Sequence, residues 1–247
     1  MNSAAGDIAA AFVNARRNWK TLPEYPGERP SDLRSAYVIQ DAALADWNRP
    51  IGGWKVGKIN PPMSDELGAN RLVGPVFADT VQREGQDSAQ FPIFAGGFAA
   101  IEAEFMLRLA PQEGPIPATR EAAMDWVDEV RIGLEVASSP YAAINVDGPC
   151  VTVSDHGNNA GLLLGACVDR TEWDRLDDIA VSLEIDGREV GRASTATMLD
   201  GPFGAAAFLL RNLSDRGIAP EAGWWVSSGA ITGVHEIAPG QRAIARF

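Results

Sequence analysis

The clearest hydrophobic pattern in the sequence is an alternation that runs from residue 99 to residue 109. Apolar side chains occupy every second position, and Glu102, Glu104 and Arg108 lie at positions between them. Alternation with a period of two predicts a half-buried β-strand. The two glutamates then project from one face, about 6.5–7 Å apart at roughly 3.3 Å per residue. Such a pair either lies on an exposed sheet face or shares a cation.

Helical periodicity dominates the first fifty residues. Apolar side chains recur on one stripe from residue 7 to residue 20, and the Pro- and Gly-rich segment 23–30 follows. Ser31 is the expected N-cap of a second amphipathic helix, which ends near Pro50. Two helices in succession predict a helical N-terminal segment.

Beyond residue 50 the pattern changes to short β-like segments separated by glycine and proline. Asp186-Gly187 follows an alternating segment and predicts a type I′ hairpin. Two further helices are expected, one through 119–130 with Thr119 as its N-cap and one through 202–217. The order of elements predicts an α+β fold. We expect one domain, 1–247, with a helical segment 1–50 and a β-rich body 51–247.

Composition and charge narrow the possible functions. The chain has 247 residues, 46% of them hydrophobic, and a formal net charge of −12, which disfavours binding to nucleic acids or anionic membranes. No apolar run reaches the roughly 18 residues of a membrane span, and the N-terminus lacks the apolar region of a signal peptide. The two cysteines, Cys150 and Cys167, fit a reducing compartment. We expect a soluble, cytoplasmic protein.

Lysine is rare in this chain, with three lysines against eighteen arginines, and Lys55 and Lys58 lie in one short segment. The pKa of a lysine falls readily on burial, so lysine transfers protons where arginine does not. The occurrence of two of the three lysines in one short segment is either functional or a coincidence, since the chain has so few lysines. The same segment nearly matches a phosphate-binding loop, but Ile59 stands where that motif needs Ser or Thr.

A third acidic residue, Glu135, lies in a strand-like run that is otherwise mostly apolar. A buried carboxylate there needs a partner. One alternative is a salt bridge with an arginine. The other is a metal site shared with Glu102 and Glu104, because hard divalent cations prefer oxygen ligands.

A polar cluster, Asp155-His156-Gly157-Asn158-Asn159, precedes an apolar segment. Polar residues at the mouth of a buried strand often form small-molecule sites, although Asp, Asn and Gly are equally typical of an ordinary turn. Neither histidine has neighbours at zinc-binding spacing, and the Gly-x-Ser-x-Gly motif of serine hydrolases is missing from the sequence.

In this order along the chain, the segments resemble the 2-keto-4-pentenoate hydratase family of the fumarylacetoacetate hydrolase superfamily. The matching segments are Gly53-Trp54-Lys55-Val56-Gly57, Gly74-Pro75-Val76-Phe77-Ala78-Asp79, Ile101-Glu102-Ala103-Glu104-Phe105, Gly133-Leu134-Glu135-Val136, Asp155-His156-Gly157-Asn158, Gly201-Pro202, Ser228-Gly229-Ala230-Ile231-Thr232-Gly233 and Pro239-Gly240.

The resemblance implies a β-rich mixed-sheet roll that holds Mg²⁺ or Mn²⁺. The implied metal ligands are Glu102, Glu104 and Glu135. Lys55 matches the family's active-site lysine and is expected to transfer protons. Asp79 matches a nearby acid that would orient Lys55 or activate water.

The implied substrate-binding residues are Asp155, His156 and Asn158. Here the chain departs from the family, which usually has Asp-Asn-Ala-Ser at this point. Glu135-Val136-Ala137-Ser138 also departs from the usual Glu-x-x-Asp. These differences lie near the expected substrate pocket, so the resemblance defines the metal site better than the reaction.

The activity that the resemblance implies is a metal-dependent hydro-lyase in aromatic-compound catabolism, commonly a homo-oligomer. It would hydrate a 2-hydroxy-2,4-dienoate to a 4-hydroxy-2-oxo acid. One alternative is a 2-oxo-3-enedioate decarboxylase or a hydrolase of acylpyruvate C–C bonds. Another is a degenerate subunit that only binds a small anion or assembles with an active enzyme.

Overall fold

The computed structural model of the chain describes residues 3–85 and 88–247. The helices are α1 (Ser3–Arg17), α2 (Leu33–Trp47), α3 (Met63–Leu67), α4 (Arg120–Met124), α5 (Pro149–Ser154) and α6 (Gly201–Asp215). The strands are β1 (Ile51–Lys58), β2 (Arg71–Phe77), β3 (Val81–Arg83), β4 (Phe98–Leu109), β5 (Val127–Ser139), β6 (Asn159–Val168), β7 (Ala180–Ile185), β8 (Arg188–Ser194), β9 (Trp225–Ser227), β10 (His235–Glu236) and β11 (Ala243–Arg246).

A mixed eight-stranded sheet forms the centre of the fold. Its order is β2-β1-β9-β4-β5-β6-β3, and β10 pairs with β4. The pairs β1–β9 and β3–β6 are parallel, and the remaining pairs are antiparallel. A second sheet has the order β11-β7-β8. The expected α+β fold with a β-rich body is confirmed.

Most predicted helices are present, with shifted ends. The N-cap of α2 is Asp32 rather than Ser31, because its carboxylate accepts the Ser35 N–H at 2.7 Å. Thr119 caps α4 as expected, but this helix ends at Met124. Asp125 and Trp126 form a turn, and the remainder of the predicted helix, from Val127, belongs to β5, whose long pairing with β4 replaces helical hydrogen bonds. Asp186 and Gly187 both have positive φ, as the type I′ turn between β7 and β8 requires.

The largest core cluster lies against the apolar face of β4. That face, including Phe105 and Leu107, packs with Leu209 and Leu210 of α6 and with Trp54 of β1. Because β4 lies between β5 and β9 in the sheet and both of its faces are covered, Glu104 is as buried as its apolar neighbours. Both faces of β4 are therefore buried: one is apolar, and the other carries the two glutamates. The prediction of a half-buried strand with one exposed face is wrong.

A separate apolar cluster joins the N-terminal helices to the body. Phe12 of α1 and Ile39 of α2 pack with Tyr141 and Ile144, which follow β5. Within the described ranges, no helix is long and apolar enough to cross a membrane.

Candidate metal centre

Strand pairing brings the three acidic residues together. In the β4–β5 ladder, Glu102 lies directly opposite Glu135 and Glu104 lies opposite Gly133. Paired residues in antiparallel strands project from the same face, so Glu135 joins the face that carries the two glutamates of β4. One carboxylate oxygen from each of the three lies within 4.8 Å of the others, and all three side chains are buried.

Hydrogen bonds orient two of these carboxylates. The Ser227 hydroxyl and the Gly229 N–H, the latter at 2.9 Å, both donate to Oε2 of Glu104. The Asn159 amide donates to Oε1 of Glu135 at 2.9 Å. Across the described part of the chain, Oε1 of Glu104 is buried and has no hydrogen-bond partner. A buried acceptor without a donor is costly, and a cation would satisfy it.

Lys55 is the cation that accompanies this cluster. Strand β9 lies between β1 and β4, so Ser227 is the register partner of both Lys55 and Met106. The Lys55 ammonium lies 3.3 Å from Oε2 of Glu135 and is buried with it. The lysine stem passes beside Gly157, where an added Cβ would lie 3.1 Å from its Cδ.

Three buried carboxylates share one ammonium group, and the pKa values reflect this imbalance. Burial raises the pKa of Glu102 to about 7. Burial also raises the pKa of Glu104, as do the charges of Glu135 and Glu102. Burial alone would lower the pKa of Lys55, but the neighbouring carboxylates outweigh it and raise that pKa. Three carboxylates beside one ammonium group therefore favour the uptake of protons or of a cation.

The donor set fits a divalent metal. All three groups are carboxylates, which suit hard cations such as Mg²⁺ and Mn²⁺. Three protein ligands leave coordination positions for water and substrate. The residues expected to bind metal are therefore placed as a metal site requires.

Asp155 has protein partners in place of the expected substrate. Its carboxylate accepts hydrogen bonds from Arg16 Nε at 2.5 Å and from the Ser139 hydroxyl at 2.6 Å, and it is fully buried. The structure therefore gives Asp155 two protein partners, and substrate binding by this residue stays a prediction.

His156 and Asn158 are also buried, in the turn before β6. The His156 ring packs between Trp47 and Phe77, with ring centroids 5.5 and 5.4 Å away. The Asn158 amide donates to the side-chain oxygen of Asn145 at 2.9 Å. No hydrogen bond among the described residues joins either side chain to the carboxylate cluster, so substrate binding by these two residues stays a prediction.

Replacing His156 with Asn is expected to make folding stability less sensitive to acid. Burial lowers the pKa of His156, the charges of Arg16 and Arg49 lower it further, and Asp155 opposes them. The unfolded chain then binds more protons than the folded one, so stability falls as the pH drops below about 6.5. This group contributes up to about 1.4 kcal/mol per pH unit in that range. Asparagine tolerates the positive φ of this position.

Urea unfolding of metal-free wild type and of His156→Asn at pH 8, 7 and 5.5 measures this effect. Carboxylates that titrate in the same range are present in both proteins, so the difference between the two curves isolates His156. Parallel curves would show that this histidine does not titrate differently in the folded and unfolded chains.

Asp79 lies outside the cluster of carboxylates. Its side chain is 69% exposed and forms an ion pair with Arg49, whereas the acid that Lys55 contacts is Glu135. The structure therefore does not bring Asp79 together with Lys55, and the expectation that Asp79 orients Lys55 or activates water stays a prediction.

Three residues of the site were not among the predicted ones: Arg16, Asn159 and Ser227. Asn159 ends the polar cluster noticed in the sequence, and Ser227 precedes the matched Ser228-Gly229 segment. Proximity to a motif was the only available signal for these two. Arg16 had none, since it lies 139 residues from its partner Asp155.

Comparison with known proteins agrees with this fold. No family model matches the chain. A 4-oxalocrotonate decarboxylase from Pseudomonas sp is 25% identical over 238 residues, covering 94% of this chain and 90% of the relative. A 2-keto-4-pentenoate hydratase from Paraburkholderia xenovorans (strain LB400) is 23% identical over 239 residues, covering 95% and 87%.

Solved structures extend the comparison to the fold. The 4-oxalocrotonate decarboxylase from Pseudomonas putida G7, complexed with magnesium and adipate, has a TM-score of 0.79 at 22% identity, covering 100% of this chain and 94% of that one. A fumarylpyruvate hydrolase from Pseudomonas aeruginosa, in complex with Mn²⁺ and pyruvate, has a TM-score of 0.57 at 17% identity, covering 78% and 83%.

The chain therefore shares the fold of these metal-bound enzymes. Its homologues include 2-keto-4-pentenoate hydratases and 4-oxalocrotonate decarboxylases, and the resemblance noted from the sequence motifs is confirmed.

Proposed function

We propose that this chain is a metal-dependent hydro-lyase that hydrates a 2-hydroxy-2,4-dienoate of the 2-oxo-4-pentenoate type to a 4-hydroxy-2-oxo acid. The observation that carries the proposal is the buried cluster of three carboxylates with Lys55 at 3.3 Å from one of them. Homology to named hydratases over more than nine-tenths of the chain supports the reaction class. The enzyme would act in the cytoplasm as a homo-oligomer, as the resemblance implies.

In this proposal Glu102, Glu104 and Glu135 hold Mg²⁺ or Mn²⁺. The bound cation supplies Lewis-acid stabilisation of the negative charge that develops on the 2-oxygen of the substrate. Glu104 is the best-prepared ligand, because its Oε2 is held by Ser227 and Gly229 while its Oε1 is free of donors among residues 3–85 and 88–247. A ligand fixed on one oxygen loses little freedom on binding.

Lys55 is the proposed proton-transfer group. Hydration of the dienol adds the OH of water to C4 and one proton each to C3 and C5, one proton coming from water and one from the 2-hydroxyl group, which becomes the 2-oxo group. A group near the carbon skeleton must therefore hold and deliver protons. Lys55 has a buried ammonium and a fixed stem beside Gly157. Its pKa is raised by the same carboxylates that would be neutralised by a bound cation. Neutralisation lowers that pKa, which prepares the ammonium to release a proton.

The second candidate function is decarboxylation of a 2-oxo-3-enedioate. The observation that favours it is the high structural similarity to the 4-oxalocrotonate decarboxylase, with a TM-score of 0.80 over the whole chain. In both reactions an enolate-like negative charge develops on the 2-oxygen next to the substrate carboxylate. Both reactions would therefore use the same metal and the same lysine. They differ in whether water is added or CO₂ is released.

The test is a paired assay with 2-hydroxypenta-2,4-dienoate on chelator-stripped protein, with and without added Mg²⁺ or Mn²⁺. Loss of the dienol absorbance gives the rate, and NMR in D₂O identifies the product. We expect 4-hydroxy-2-oxopentanoate to form only when metal is present. A parallel assay with a 2-oxo-3-enedioate monitors CO₂ release.

The outcomes separate the candidates. CO₂ release without hydration would show that the protein is a decarboxylase and not a hydratase. Cleavage of an acylpyruvate into two fragments would indicate a C–C hydrolase. Retained metal binding with no turnover on any of these substrates would indicate a degenerate binding subunit.

A further inference from the structure

We infer that Arg16 of α1 is a positioning residue for the metal centre and acts on Glu135 through Asn159. This inference rests on the proposed metal site. It gives the N-terminal helix a part in organising a centre whose ligands all lie on strands of the body.

The guanidinium of Arg16 is buried and bound entirely to protein acceptors. Its Nε and Nη2 donate to the two carboxylate oxygens of Asp155 at 2.5 and 2.8 Å. Nη2 also donates to the Ser138 carbonyl at 2.9 Å, and Nη1 donates to the Asn159 carbonyl at 3.3 Å. One side chain of α1 therefore connects β5, the turn after α5 and the first residue of β6.

Asn159 links this arginine to the carboxylate cluster. Its carbonyl accepts from Arg16, and its side-chain amide donates to Oε1 of Glu135 at 2.9 Å. The β5–β6 ladder shifts register between Val136 and Ala137, beside the point where Asn159 pairs. Regular pairing is interrupted there, so side-chain contacts contribute more to holding Asn159 in place.

The contact pattern fits a positioning role better than substrate binding. Asp155 occupies the bidentate face of Arg16, and both residues are buried. A substrate carboxylate would have to displace a buried partner of the same charge. Groups that hold metal ligands from behind typically change metal affinity about 10- to 100-fold when removed, which makes the inference measurable.

The experiment measures Mn²⁺ dissociation constants by electron paramagnetic resonance for the full chain. The variants are Asn159→Ala, Arg16→Lys and the double variant. Arg16→Lys keeps the charge beside Asp155 but lacks a planar fork that reaches several acceptors at once. Arg17→Lys is the matched control, since Arg17 is the next residue of the same helix and its side chain is 43% exposed.

We expect Asn159→Ala to weaken Mn²⁺ binding by about 10- to 100-fold and Arg16→Lys to weaken it by a smaller factor. Because both residues act along one line of contacts, the double variant should bind no more weakly than Asn159→Ala, within about twofold. Arg17→Lys should match the wild type. Unchanged binding in Arg16→Lys, or multiplicative losses in the double variant, would overturn the inference.

Melting curves accompany each measurement. If Arg16→Lys does not melt cooperatively, Asp155→Asn replaces it as the test variant. Asp155→Asn preserves the volume of the side chain and weakens the contacts of the same guanidinium. Unchanged Mn²⁺ binding in this variant, or multiplicative losses when it is combined with Asn159→Ala, would then overturn the inference. Wild-type protein that fails to bind Mn²⁺ would overturn the metal site and this inference together. Wild-type binding with unaffected variants would overturn the inference alone.

Discussion

Replacing Glu104 with Gln is expected to abolish Mn²⁺ binding at concentrations that saturate the wild type, and to remove turnover with it. The change keeps the size of the side chain but removes a negative charge from a buried set of three carboxylates. It also places an amide where the unpartnered Oε1 of Glu104 would meet the cation. We expect the dissociation constant to rise by at least about 100-fold.

Turnover depends on the metal for several kcal/mol of charge stabilisation. Since each 1.4 kcal/mol corresponds to a factor of ten in rate, the Glu104→Gln enzyme should be slower by about 10³-fold or more. Isothermal titration with Mn²⁺ and the dienoate assay measure the two losses on the same preparation.

The folded state of Glu104→Gln is expected to survive without metal. Three buried carboxylates that share one ammonium group repel one another. A neutral side chain at position 104 therefore reduces the electrostatic repulsion in the metal-free protein. Its melting temperature without metal should equal or exceed that of the wild type, which separates metal loss from unfolding. Glu184→Gln on β7, whose partner is Arg246, is the matched control. Unchanged Mn²⁺ affinity in folded Glu104→Gln would contradict the metal assignment.

Replacing Lys55 with Met should have the opposite pattern, with metal retained and chemistry lost. Methionine keeps an apolar stem beside Gly157 but lacks the ammonium near Glu135. Removing a positive charge from the cluster leaves more negative charge for the cation, so Mn²⁺ should bind at least as tightly as in the wild type. Loss of general acid–base catalysis typically costs about 10²–10⁴-fold in rate.

Deuterium exchange gives a readout specific to the proton-transfer role. In D₂O, the wild type should exchange protons at C3 of the 2-oxo acid, and metal-loaded Lys55→Met should not. Without metal, the variant leaves Glu135 buried and unpaired, which destabilises folding by about 3–5 kcal/mol, so assays use metal-loaded protein. Lys58→Met is the matched control, because Lys58 is an exposed residue of the same strand. Normal exchange in Lys55→Met would assign the proton transfer to another group.

Local pattern in the sequence was enough to predict much of the centre. The alternation at 99–109 placed Glu102 and Glu104 on one face of a strand, and β4 has that geometry. The rarity of lysine singled out Lys55, which lies beside Glu135. A single acid in an apolar run marked Glu135 itself. The placement of the two glutamates on one face was predictable because a strand fixes the direction of its side chains residue by residue.

Predictions that depended on distant neighbours did worse. The predicted helix at 119–130 became a strand after Met124, since pairing with β4 outweighs local helical preference. The roles expected of Asp79 and Asp155 came from motif position and stay predictions; the structure adds an arginine partner for each carboxylate, which the sequence did not indicate.

The sequence by itself determined which side chains are candidates for the chemistry and which face of each strand carries them. Tertiary structure alone decided that both faces of β4 are buried, which turns a pair of acids into a cluster with excess charge. It also decided that Asn159 and Ser227 donate hydrogen bonds to that cluster and that Arg16 contacts Asn159. The physical reason is that periodicity is set by neighbouring residues, whereas burial and partner choice depend on which strands pair and on contacts up to 176 residues apart.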